Sequence, residues 1–377
     1  MRALFWTCTA LLAWTQALYA PALAALRRLR GWPPPAPDGA LGTPRVSLVI
    51  AAYAERAVIA EKVANALALD WPRERLEVIV AVDGGAEPGA DDTAERARAA
   101  GADLVLELPR CGKVRAQDAA VRAANGELLA FSDANARWAP DALRHLLAPF
   151  ADPRVGYVCG RVDFVGQAGT NQEGLYWRYE LWLRAHESAL ASVTAGNGAI
   201  YAVRPAAYVE VDPVMGHDLM LPHTLVRRGW RAVFAPAARA TEKMVPTVEG
   251  EWARKRRMMS HGWPIVVRGG LLDPRGLPPL YALMIASHRL LRYGTPLLHV
   301  LAGVATLALL GRGRVYALAA AVQAAVLAGA AAGGRARSRP LLVARYYVLT
   351  TASLAAGLYD WLRHGTPAGW EAPEGTR

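Results

Sequence analysis

Lysine and cysteine are the scarce residues of this 377-residue chain, with four lysines (Lys62, Lys113, Lys243, Lys255) and three cysteines (Cys8, Cys111, Cys159). Three cysteines, widely spaced and odd in number, exclude a disulfide framework. The glycines follow no collagen-like period, and a hydrophobic content of 53% excludes disorder. Several signatures are absent as well. The first strand-like run leads into Ala51-Ala52-Tyr53-Ala54, without the glycine fingerprint of a dinucleotide site. Gly112-Lys113 lacks the upstream glycine and the following Ser/Thr of a phosphate-binding P-loop. His186-Glu187 has no second histidine four residues after the first, which removes a zinc protease, and no G-x-S-x-G hydrolase elbow occurs.

What is present is arginine and long apolar runs. The net charge is +11, yet mean hydropathy is +0.14, so the chain either buries a very large core or places part of itself in lipid. Residues 3–25 carry no charge, long enough at ~1.5 Å per residue to cross ~30 Å of hydrocarbon. A signal peptide competes with this reading, helped by the small residues around Ala20–Ala24. Arg27-Arg28-Leu29-Arg30 resists export, so residues 1–26 are expected to be a retained anchor with the following end cytoplasmic. A Pro-rich linker is expected over 27–42.

Residues 293–311 and 315–334 are two clean candidate spans, and 341–361 is a weaker third because Arg345 lies near one end. The expectation is about three helices within 293–363, then a tail over 364–377. Residues 278–292 carry His288, Arg289 and Arg292 on an apolar stretch, which suits an interfacial helix as well as a span. Arg335, Arg337 and Arg339 place the loop after the second span on the cytoplasmic side. The arginines thus flank membrane segments, and no nucleic-acid partner is needed to explain the charge.

Residues 43–277 have the size of one water-soluble domain. Strands are predicted at Val46–Ile50, Leu76–Val82, Asp103–Leu108 and Leu128–Phe131, with helices over 56–69, 90–100 and 113–124 between them. This alternation indicates βαβ units and a parallel sheet. Ligands bind beyond the carboxyl ends of such strands. Glu55, Asp83 and Asp133 stand there.

VSLVIAAYAE (46–55), LEVIVAVDG (76–84), Gly112-Lys113, FSDAN (131–135), Gly196-Asn197-Gly198 and His217-Asp218 fall in an order that resembles the family 2 glycosyltransferases. The likeness is to the membrane-bound inverting branch of cellulose-synthase-like and hyaluronan-synthase-like enzymes, and it covers nearly the whole chain. It implies an α/β GT-A (nucleotide-diphospho-sugar transferase) domain with flanking transmembrane α-helices in the cell membrane, the catalytic domain cytoplasmic. It also implies transfer from a nucleotide sugar, expected to be a UDP-sugar, to a glycan or lipid-linked acceptor in cell-surface or extracellular polysaccharide synthesis. Single-sugar transfer to a polyprenyl phosphate and an inactive membrane scaffold are the alternatives. A transporter is disfavoured, since only His299 and Arg345 offer intramembrane chemistry.

The resemblance assigns roles. Asp83 and Glu55 meet the nucleoside, and Lys113 meets the diphosphate as a point charge. Lys113 at a helix start is locally unfavourable, which itself points to an anionic partner. Asp133 and Asn135 occupy the Asp-x-Asp position and are the expected ligands of a divalent metal, Mg or Mn. Asp218 is the expected general base, a role compatible with its capping the helix that follows. Gly196, Asn197 and Gly198, with Trp263, are expected on the acceptor side.

The chain also departs from the pattern. Arg254-Lys-Arg-Arg257-Met-Met-Ser-His-Gly262-Trp263 stands where processive synthases carry Gln-x-x-Arg-Trp. Arg256 and Arg257 remain candidates for the diphosphate, with anionic lipid headgroups the other reading. Ala54 stands where Asn is usual, and the loop from Asp83 to Asp92 is lengthened.

Overall fold

The computed structural model describes residues 1–31, 41–87, 89–165, 171–243, 248–334 and 338–369, without the side chains of 171–175 and 248–251. Most of the expected Pro-rich linker, Arg335, Arg337 and the tail beyond 369 lie outside the described residues.

The chain opens with a 29-residue helix, α1 (Arg2–Arg30). It runs past the expected end of the anchor, and Arg27, Arg28 and Arg30 form its last turn. Cations there complement the partial negative charge of a helix C-terminus, which explains why the helix continues through the arginines.

The domain then alternates as β1 (Val46–Ala52), α2 (Ile59–Leu67), β2 (Leu76–Asp83), α3 (Thr93–Ala99), β3 (Leu104–Leu108), α4 (Lys113–Ala123) and β4 (Leu128–Asp133). All seven residues of β1 are buried, as a parallel strand covered on both faces requires. Alternate side chains serve two cores: Leu48, Ile50, Val78 and Val80 on one face, Val49, Ile79 and Ala81 on the other.

The second half adds strands and helices, of which the sequence reading anticipated the helix following Asp218. They are β5 (Arg137–Trp138), α5 (Ala142–Leu147), β6 (Val155–Val165), α6 (Asn171–Leu190), β7 (Tyr201–Val203), α7 (His217–Arg227), β8 (Arg231–Lys243) and α8 (Val248–Val267). Together the eight strands make one sheet in the order β3-β2-β1-β4-β7-β6-β8-β5. The first four are parallel, whereas β7 runs antiparallel to both β4 and β6. The sheet is therefore mixed rather than wholly parallel. Strand order reverses between β1 and β4, and the crevice beyond their carboxyl ends is the expected ligand position.

Three further helices follow, α9 (Pro279–Ala308), α10 (Arg314–Ala332) and α11 (Arg339–His364). With α1 they make four, among the described residues, that are long and apolar enough to cross a membrane. Residues 278–292, read from sequence as a separate amphipathic segment, lie almost wholly in the first half of α9, with no break at 292. The reason is packing. His288 contacts Glu180 and Glu187, Arg289 Nε donates to Thr194 Oγ1 at 2.9 Å, and Arg292 binds Glu180 and Tyr176. Polar groups that suit a lipid interface in the sequence face protein in the fold.

Candidate active site

β2 ends in Asp83, whose side chain is 3% exposed. One oxygen accepts the backbone N–H groups of Cys111 (2.6 Å) and Gly112 (3.1 Å), and the other accepts Arg110 Nη1 at 2.9 Å. Charge-assisted bonds of this kind fix the 110–112 loop beside the strand end. The Arg110 guanidinium also lies 3.2 Å from the centre of the Tyr53 ring, just after β1. Asp83, Arg110 and Tyr53 thus form one corner, in which Arg110 and Tyr53 were not foreseen.

Glu55 is 1% exposed. Its carbonyl accepts the N–H groups of Val58 (3.0 Å) and Ile59 (2.9 Å), so its backbone opens α2. Before it, Ala54 has φ +50°, the one described non-glycine residue with positive φ. Asn tolerates this left-handed backbone better than Ala.

Lys113, the first residue of α4, forms an ion pair with Asp133 at the end of β4. Burial works against the Lys113 charge, but Asp133, with Asp218 and Glu242 beyond it, raises its pKa above the usual lysine value. Burial, partly offset by Asp133 and Glu242, lowers Lys62 to about 7; its Nζ donates to the Ala136 carbonyl at 2.7 Å. Burial and the Asp133 carboxylate raise Glu242 to about 7 against the pull of Lys113, Arg254 and Lys62. Lys62 and Glu242 lay within predicted regular structure or beyond the last predicted strand, so only long-range pairing reveals them. The signal available for Lys62 was its rarity, a lysine on the buried side of a helix.

The Gly196–Gly198 segment runs directly past this pair. A Cβ on Gly198 would lie 3.2 Å from Lys113 Nζ and 3.3 Å from Asp133 Oδ2. Gly198 therefore borders the Lys113–Asp133 pair. Gly196 donates its N–H to the Asp218 carbonyl at 2.6 Å. The Asn197 side chain is spent on backbone, donating to Gly160 O (2.7 Å) and accepting from Ile200 N (2.9 Å), so it shapes the loop.

Asp218 is the second residue of α7 and half-buried. Its Oδ1 accepts Leu219 N–H at 3.0 Å, and its Oδ2 takes no partner among the described residues. The Asp218 charge bears on Lys113, His261 and Tyr293. His217 turns away into the core, where Nδ1 meets the Tyr201 hydroxyl at 2.8 Å. Burial, with Lys113 adding to it, lowers His217 to about 3, so it is neutral beside Asp218.

On α8 the helical period separates the basic cluster. Arg256 is held by Asp360 of α11 at 2.5 and 2.6 Å, and Lys255 donates to the Tyr346 hydroxyl at 2.6 Å. These two face α11. Arg257 acts electrostatically on His261, and Arg254 on Glu242. Arg256, a diphosphate candidate in the sequence, is thus engaged by Asp360, while Arg254 bears on Glu242. Trp263, expected on the acceptor side, donates Nε1 to the Leu354 carbonyl at 2.9 Å and meets the Tyr293 ring edge-on at 5.2 Å. It locks α8 to α9 and α11.

No three His, Cys, Asp or Glu side chains converge as a metal cage among the described residues. Asp133 nonetheless offers a hard carboxylate that already attracts a cation, and Asn135 stands two residues on, half-buried. Hard oxygens at i and i+2 fit Mg or Mn when diphosphate oxygens complete the shell.

Residues 44–261 match the family described as "Glycosyltransferase like family 2", more than half of the chain. The chain belongs to the family 2 glycosyltransferases, and its domain is of the GT-A type. Curated relatives include β-monoglucosyldiacylglycerol synthases of Trichormus variabilis and of a Nostoc strain. Each is 27% identical over 239 residues, covering 58% of this chain and 49% of theirs. The chain thus spans about half the length of the curated relatives it matches. Among solved structures, a Pyrobaculum calidifontis mannosyltransferase in complex with GDP-Man and Mn2+ superposes with a TM-score of 0.71 at 25% identity, covering 96% of this chain and 99% of that one.

Proposed function

From that family membership we propose that the protein transfers one hexose, with inversion, from a nucleoside-diphosphate sugar to the hydroxyl of a membrane lipid. The observation that carries this reading is the position of Asp218. Its Oδ2 takes no partner among the described residues, and its charge reaches both Lys113 of the donor-side pair and Tyr293 of α9, a helix long enough to cross a membrane. A base between donor and membrane helix suits an acceptor arriving from lipid.

In the proposed reaction Asp218 Oδ2 takes the proton of the acceptor hydroxyl. The acceptor oxygen bonds to the anomeric carbon as that carbon's bond to phosphate oxygen breaks, and the nucleoside diphosphate leaves with the electron pair. Lys113, Arg254 and Arg257 supply positive charge on the leaving side. Asp133 and Asn135 would hold a divalent metal, which supplies neutralisation of the diphosphate charge. The corner of Asp83, Arg110 and Tyr53 takes the nucleoside.

A lipid acceptor is supported by the names of the curated relatives, which specify glucosyl transfer to a diacylglycerol lipid. The processive polysaccharide branch is not proposed, because Gln-x-x-Arg-Trp is missing and Arg256 of that helix is bound to Asp360. The cluster Arg27-Arg28-Leu29-Arg30 supports a cytoplasmic catalytic domain.

Purified protein with Mn2+, diacylglycerol in mixed micelles and either UDP-glucose or GDP-mannose should yield glycolipid and free nucleotide. Asp218→Asn should lower kcat by about a thousandfold with donor KM little changed. Equal turnover in wild type and variant would remove Asp218 from the chemistry.

A further inference from the structure

After α11 the chain does not leave the molecule. Gly365 turns with φ +71°, and the Thr366 Oγ1 donates to the Ser260 carbonyl of α8 at 2.8 Å. Two residues later Ala368 lies on Gly112, where an added Cβ would collide with the Ala368 carbonyl oxygen and lie 3.3 Å from the Ala368 Cβ. A Cβ on Gly369 would lie 3.7 Å from Arg110 Nη2. Gly112 has φ +90° and donates its N–H to Asp83, so it joins the nucleoside corner to Lys113. Ser260 belongs to the helix that carries Arg254 and Arg257, and its hydroxyl donates to the Arg257 carbonyl at 2.8 Å. Residues 365–369 therefore bridge the two walls of the cleft, one built by β2 and the start of α4, the other by α8.

We propose that Gly365–Gly369 is a strap that forms part of the nucleoside pocket, and that its peptide groups contact the base or ribose of the bound nucleotide. The proposal rests on the donor reading of the Asp83 corner. Two features argue for a built contact. The strap is tied at one end by a side-chain hydrogen bond, and it lands on a glycine with no room for any other residue. Ala, Pro and Gly offer no side chain able to compete with a nucleotide, only backbone carbonyl and N–H groups, which suit the polar edge of a base. A strap tethered to α8 also couples nucleoside binding to the helix whose arginines face the diphosphate.

The test uses the full chain in detergent with UDP and GDP as probes. Hydrogen exchange at the Thr366, Ala368 and Gly369 amides should slow when either nucleotide is added with Mn2+. Ending the chain after Gly365 should weaken nucleotide binding and raise donor KM by about tenfold, with kcat much less affected. Thr366→Val, which keeps the strap and removes only its tether, should produce a smaller rise of the same kind. Unchanged exchange together with unchanged KM overturns the proposal, and so does tighter nucleotide binding in the shortened chain, which would mark the strap as an obstruction. Asp83→Asn separates the two levels. If it loses UDP binding while both strap variants bind as wild type, the donor corner stands and the strap falls. If it binds as wild type, the corner falls and takes the strap with it.

Discussion

Two buried clusters of charge in this molecule are built on opposite rules. Where α6 meets α9, the charges are matched among themselves. Glu187, fully buried, accepts from the Tyr19 hydroxyl (2.7 Å), His288 Nδ1 (2.7 Å) and the Thr194 hydroxyl (2.8 Å), and Glu180 is held by Arg292 and His288. Burial opposes the Glu187 charge, yet His288, Arg289 and Tyr19 bring its pKa below the usual carboxylate value. Beyond the ends of β1, β2 and β4 the arrangement lies at the ligand end of the sheet. Lys113, Lys62 and Arg254 bear on two acids, Asp133 and Glu242, and Lys113 closes with Asp133 as an ion pair. A cluster deep between packed helices is a fastening, whereas cations gathered beyond the carboxyl ends of the strands are placed where this kind of sheet binds its ligand.

That contrast is broken most forcefully at Glu187. Glu187→Ala leaves the buried His288 without its nearer acid and Arg289 without the adjoining carboxylate, at a cost of about 3–5 kcal/mol. The thermal midpoint in detergent should fall far below that of Asp152→Ala, whose partner Arg154 is 73% exposed. A fall no larger than the surface variant's would show that the junction is not a fastening. Lys113→Ala should act the other way round. It should lower kcat/KM for the donor by about a hundredfold, roughly 2.7 kcal/mol, and leave the midpoint almost unchanged. Arg256→Ala, on the side of α8 facing α11, should change kcat/KM less than about twofold.

These pairs also show how far the sequence could be read. Asp83, Lys113 and Asp133 were legible because each follows a strand whose apolar run marks its end, so position along the chain gives position in space. The four parallel strands were legible for the same reason. β5 to β8 were not, since their pairing joins residues about a hundred positions apart, as in Trp138 with Ala240. Glu242 depends on that pairing. The choice between Arg254 and Arg256 depends on the rotational phase of α8, which four consecutive basic residues do not reveal. The junction cluster hid for a further reason: Glu180 and Glu187 on α6 meet His288 and Arg292 on α9 only after the helices pack, and in isolation 278–292 reads as a helix for the lipid interface.

Acid should sharpen the comparison from the donor side. Burial first, then Lys113, lowers His217 to about 3, and burial, then Arg227, lowers His223 to about 4. Unfolded histidine titrates near ~6.5. Both folded values lie below the unfolded one, so the stability these groups contribute is complete above about pH 6.5 and declines as pH falls toward 4. Each histidine contributes a slope of up to about 1.4 kcal/mol per pH unit in that window. His217→Asn should flatten the fall of the thermal midpoint between pH 6.5 and 4.5. An unchanged slope would falsify the buried neutral imidazole.

A small gain in stability is expected at Ala54, directly after Tyr53 at the end of β1. With φ +50°, Ala holds a backbone that costs an L-residue roughly 1–2 kcal/mol. Gly would relieve the clash, but it would also free the unfolded chain and return about 0.4–1 kcal/mol of the gain. Asn accepts the left-handed region without that loss of chain restriction. Ala54→Asn should therefore stabilise the protein by about 0.5–1 kcal/mol, with Ala54→Gly giving less. The rise should appear in the thermal midpoint while the donor KM stays put, because the backbone already holds Tyr53 against Arg110. A gain in stability accompanied by a several-fold change in KM would mean that the strain at Ala54 is spent on aiming Tyr53, and the donor corner would then share the self-fastened character of the junction.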